Sequence, residues 1–87
     1  GQKGLEGRSV KLRAAVAELS DGTPALADSL RPVTDSLDEV DGMLKVAAAL
    51  PFVNRKKAHM SIDDVLDDLE EGLFDTALRG ARPGQDS

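Results

Sequence analysis

Seven carboxylates crowd the stretch from Ser61 to Leu78: Asp63, Asp64, Asp67, Asp68, Glu70, Glu71 and Asp75. Carboxylates at that density can hold a divalent cation, face a cationic partner or simply form a solvated face. The first use needs ligands at calcium-loop spacing, D-x-[DN]-x-[DN]-G, which neither this run nor "DSLDEVDG" (Asp35 to Gly42) provides. No metal site is therefore expected. The single histidine, His59, stands in "NRKKAHM" with no partner at a spacing that would make it a general base or a zinc ligand. Ser61 reads as a helix cap and not as a nucleophile. Cysteine is absent, so no thiolate chemistry is available. No glycine-rich phosphate loop follows a strand, because no strand is expected. The chain is read as non-enzymatic, with no catalytic, metal or cofactor-binding residue and no cofactor.

What remains for the acidic run is a solvated face or a cationic partner. On a helix it places like charges four apart at 63/67, 64/68, 67/71 and 71/75, and three apart at 64/67, 67/70 and 68/71. At about 0.2–0.5 kcal/mol for each pair, the repulsion reaches ~1–3 kcal/mol before screening. Asp63 and Asp64 recover part of this if a helix begins at Ser61, since its N-terminus is positive. Arg55, Lys56 and Lys57 are the nearest cations in the chain, and a basic partner is the alternative source. Phe74 and Leu78, four apart, share a face with Asp67 and Glu71 and lie away from the apolar stripe. An aromatic–aliphatic pair among acids resembles the anchors of helix-in-groove docking. Asp67, Glu71, Phe74 and Leu78 are accordingly the expected partner-binding residues, suited to a protein with a basic, apolar groove.

These residues need helices to position them, and the apolar spacing supplies three. Spacings of three and four dominate, with no period-two alternation. The first helix is expected over about 9–20, with Leu12, Val16 and Leu19 on one face, Ser9 as N-cap and Gly22 as a left-handed C-cap. The second is expected over about 24–50. Thr23 would cap it, and Pro24 suits its first position, where the missing N–H costs nothing. Leu26, Leu30, Val33, Leu37, Val40 and Leu44 then run at alternating spacings of four and three, a heptad seam capable of self-association. Pro32 lies inside the seam and predicts a kink with the register kept. Pro51 ends the segment, and Asn54–Met60 read as a basic connector. The third helix is expected over about 62–79, its stripe formed by Ile62, Leu66, Leu69, Leu73 and Ala77 and its end marked by Gly80 and Pro83. Residues 1–8, with Gly at positions 1, 4 and 7, and residues 80–87 are expected to be loose ends.

The fold class is thus all-α: a small three-helix bundle with a long Pro-kinked central helix, or an oligomeric coiled-coil variant of it. With 87 residues, two Phe and no Trp or Tyr, the chain is one small domain or part of a larger protein. A core this thin buries only roughly 60% of the unfolded surface, so help from self-association or a partner is expected. The net charge of −5 and the −7 block over residues 61–78 argue against nucleic acid. No apolar run approaches the ~18 residues of a membrane span. Residues Met43–Val53 carry one charge, Lys45. They read as core, or as the place where partner or membrane contact would occur.

The stretch "TPALADSLRPVTDSLDEVDGMLKVAAALP", residues 23–51, resembles the proline-interrupted heptad helices of MCE-type lipid-transport proteins. That resemblance implies helices associating into a hydrophobic conduit, and it carries over no functional residue. The leading expectation is a non-enzymatic interaction or oligomerisation module presenting an acidic amphipathic helix. One alternative is a segment of a lipid or hydrophobic-molecule transport assembly. The other is a regulator whose acidic helix masks a basic surface.

Overall fold

The computed structural model describes residues 1–80, and they form three helices with no strand among them. Helix α1 spans Gln2–Gly22, a 3-10 turn spans Pro24–Leu26, α2 spans Ala27–Ala48 and α3 spans Phe52–Gly80. The chain is a small all-α three-helix bundle. It is an elongated rod, 52 × 18 × 17 Å, with a radius of gyration of 14.8 Å. A compact chain of this length would have about 12 Å.

Two proline-bearing turns set the up–down–up topology. Thr23 leaves the helical region (φ −138°, ψ 81°), its N–H donates to Leu19 O, and Pro24 opens the 3-10 turn. Gly22 stays inside α1 and is not the left-handed cap expected of it. Thr23 begins the turn without a side-chain capping bond. At the other end α2 closes with Ala49 N–H donating to Val46 O and Leu50 N–H to Ala47 O. Pro51 follows, and its carbonyl accepts from Arg55 N–H at 2.8 Å. The fixed φ of proline suits the entry to a helix.

Both outer helices are longer than the sequence suggests. Residues 1–8 are not a loose lead-in: α1 begins at Gln2, because Leu5 is buried and Gln2 Nε2 donates to Leu44 O at 3.0 Å. Those tertiary contacts outweigh the poor helix propensity of Gly4 and Gly7. The basic connector is helical too, and α3 begins at Phe52. Arg, Lys and Ala are good helix formers, and Ala58 packs against the core while Lys56 and Lys57 face water. Ser61 is therefore mid-helix and caps nothing. Of the expected loose tail, Gly80 is the last residue of α3, and the rest lies outside the described residues.

The core is one stripe from each helix: Leu5, Leu12 and Val16 from α1, the α2 heptad series, and Ile62, Leu66 and Leu73 from α3. Leu37, Val40 and Leu66 are fully buried. At roughly 1.5–3 kcal/mol for each buried Leu or Val, this stripe is the main stabilising element. Leu30, Val33, Leu37, Val40 and Leu44 are buried against α1 and α3. The seam expected to hold the bundle or to self-associate thus lies in the bundle core with no free apolar face, and Leu26 is half-buried beside it. Pro32 sits inside an unbroken α2, and Leu30, Val33 and Leu37 on either side keep their register.

Candidate functional site

The solvent-facing side of α3 carries the residues singled out for docking. Asp67, Glu71, Phe74 and Leu78 are separated by four, three and four residues, so they fall on one face, and all four are exposed. Phe74 is 67% exposed, unusual for a residue of that size in a packed bundle. Its ring borders a shallow depression formed with Asp67, Glu70 and Glu71. On its other side it walls an open groove of about 540 Å³ between α1 and α3, whose floor is Leu12, Leu19 and Leu73 and whose rim bears Glu18 and Glu70. Among the described residues, no other helix covers Phe74 and Leu78. An apolar floor with an acidic rim is complementary to a basic amphipathic segment.

The cations that hold the acidic helix are not those nearest in sequence. Arg8, on α1, donates from Nη2 to Asp67 at 2.7 Å and to Glu70 at 3.2 Å, and from Nη1 to Asp63. The hydrogen bond that Arg8 donates to Asp67, helped by Glu70 and Asp63 and opposed by desolvation, raises the Arg8 pKa above its ordinary value. Arg79 pairs with Asp75 at 2.9 Å. Arg55, Lys56 and Lys57 make no ion pair among the described residues, and Arg55 instead lies over the Phe52 ring at 5.7 Å. Asp63 and Asp64 lie three turns into α3, too far from Phe52 for the helix terminus to neutralise them. Nothing in the sequence pairs Arg8 with this run. The signal is there only in part, since Arg8 is one of two cations, with Lys3, in a stretch expected to be a loose end.

A second polar cluster joins α1 to α2. Ser9, buried, donates from Oγ to Asp41 Oδ1 at 2.8 Å. Arg13 bridges Asp41 at 2.8 Å and Asp38 at 3.0 Å. Desolvation works against the Arg13 cation, yet the hydrogen bonds it donates to Asp38 and Asp41 leave its pKa raised. At the far end His59 Nε2 lies 2.6 Å from Gln2 Oε1, so His59 ties α3 to α1 and is not a solvated connector residue. Among the described residues no buried side-chain nitrogen or oxygen lacks a partner.

Asp63, Asp64 and Asp67 could bring one oxygen each within 4.8 Å of one another. Asp63 and Asp67 are already bound to Arg8, and all three are exposed, which makes them a poor cage for a cation.

The apolar segment Met43–Val53 divides. Leu44 and Ala47 are core, whereas Met43, Val46, Phe52 and Val53 are exposed. Met43, Val46, Leu50, Ala58 and Ile62 line an open groove of about 660 Å³ between α2 and α3. No described helix is long and apolar enough to cross a membrane.

No family model, curated protein or solved structure matches this chain. The arguments about its site therefore stand on the geometry above.

Proposed function

We propose that the chain is a non-enzymatic interaction module that offers the acidic, apolar face of α3, with the adjoining α1–α3 groove, to a basic and apolar partner surface. The observation that carries this reading is Phe74, two-thirds exposed among Asp67, Glu70 and Glu71 at the edge of an apolar groove. Aromatic anchors in such settings supply affinity, and the carboxylates supply steering and orientation. Arg8 keeps the local acidity tolerable while leaving Glu71 and Leu78 free for contact. The test is binding of a Leu/Lys amphipathic helical peptide of about 18 residues to the chain and to its Phe74→Ala/Leu78→Ala variant. The variant should bind at least roughly tenfold more weakly, a loss of about 1.4 kcal/mol. Equal binding by both would reject the reading.

The α2–α3 groove favours a second reading, the handling of an apolar molecule, since its lining is Met43, Val46, Leu50, Ala58 and Ile62. Native mass spectrometry after incubation with phospholipid vesicles tests it. A retained lipid that disappears in Val46→Glu supports it, and a bare chain rejects it.

A further inference from the structure

The outer face of α3 has two halves of opposite chemistry. Toward its start, Val53, Lys56, Lys57 and Met60 are exposed, flanked by Phe52 and Arg55. Toward its end, Glu71, Phe74, Asp75 and Leu78 are exposed. Positions 53, 56, 60, 64, 67, 71, 74 and 78 follow one another at spacings of three and four, so both halves lie on the side of α3 opposite Ile62, Leu66 and Leu73. The chain therefore carries a basic apolar surface and the acidic apolar surface that would complement it, on one straight face.

We propose that the partner of this face is a second copy of the chain, packed antiparallel along α3. This rests on the reading of the face as a docking surface and names its occupant. A twofold axis crossing α3 between Val65 and Leu66 sets Val53 opposite Leu78, Lys56 opposite Phe74 and Met60 opposite Glu71, with Lys57 beside Asp75. Every such contact is then made twice. Because the two halves share a face, the arrangement closes as a dimer and does not propagate as a filament. Lys56 over Phe74 adds a cation–π contact to the ion pairs. A term of the opposite sign sits at the axis, where Asp64 and Asp67 of both copies meet. Asp67 shares the Arg8 charge with Asp63 and Glu70, whereas Asp64 makes no ion pair among the described residues. The seam from Val53 to Leu78 is about 38 Å long and a helix about 10 Å wide, so the buried area falls below that of a standard stable interface. A weak dimer follows, with a Kd on the order of 10–100 µM.

The test is sedimentation equilibrium from about 10 µM to 1 mM with a pair of charge-reversed chains. One chain carries Lys56→Glu and Lys57→Glu, the other Glu71→Lys and Asp75→Lys. The unmodified chain should show a reversible monomer–dimer equilibrium. Each reversed chain alone should be monomeric, and the mixture should form a 1:1 dimer. Adding Phe74→Ala and Leu78→Ala to both should weaken that mixed dimer at least roughly tenfold, which separates the docked complex from general charge attraction. Asp64→Asn should tighten the unmodified dimer. An unmodified chain that stays monomeric to the top concentration, a mixture that fails to pair, or mass that grows past the dimer would overturn the proposal. If the chain is monomeric but the Leu/Lys peptide still binds through Phe74 and Leu78, only self-pairing fails. If neither partner engages that face, the docking reading fails as well.

Discussion

Removing the Arg8 guanidinium would leave Asp63, Asp67 and Glu70 facing one another with water as their only screen. Each pair is largely exposed on its acidic side, so the sum is modest despite three acceptors. Arg8→Ala should cost about 1 kcal/mol in urea denaturation, and the cost should shrink as salt rises. Its raised pKa fixes the sign of any pH effect. The stability Arg8 contributes is fully present below its unfolded-state pKa and is lost only as pH climbs through the folded value. Titration of this guanidinium therefore leaves stability flat across the neutral range. Phe74 behaves in the opposite way. Its ring is mostly in water, so Phe74→Ala should leave the denaturation midpoint nearly unchanged, within ~0.5 kcal/mol. A large loss of stability in that variant would mean that the ring belongs to the core.

At the scale of the helices, Gly72 and Gly80 make a controlled comparison on α3. A methyl group at Gly72 meets nothing within 4 Å, whereas one at Gly80 would lie 2.7 Å from Leu26 Cδ1. Gly72→Ala should stabilise the bundle by about 0.5–1 kcal/mol through helix propensity alone. Gly80→Ala should gain less, since Leu26 must move to admit the methyl. Thermal melts of the two variants decide it, and equal gains would contradict the close approach at Leu26. The α2 stripe was legible because its 4–3 spacing is uninterrupted and apolar, and Pro24 was legible as a start because proline suits a first turn. The extra turns of α1 and α3 were not. Gly4, Gly7 and the basic run Arg55–Lys57 look like loop residues locally, and they are helical because Leu5, Gln2, Ala58 and His59 make contacts across the bundle. The face holding Asp67, Glu71, Phe74 and Leu78 was readable from helical spacing. The groove beside it was not, because its floor comes from Leu12 and Leu19 on another helix.

Over the whole molecule, charge and apolar exposure are unevenly spread along a 52 Å rod. Acidic groups remote from Phe74 and Leu78 and acidic groups beside them occur on the same molecule, which allows the central claim to be separated from simple charge attraction. Asp35 and Asp38 on α2 offer exposed carboxylates with no exposed aromatic anchor. The direct measurement is amide chemical-shift mapping of the chain during titration with the Leu/Lys peptide at moderate salt. The account predicts saturable shifts concentrated at Glu70, Glu71, Phe74, Ala77 and Leu78, extending to Leu12 and Leu19 across the groove. Shifts that are equally strong at Asp35 and Asp38 and do not saturate would contradict it.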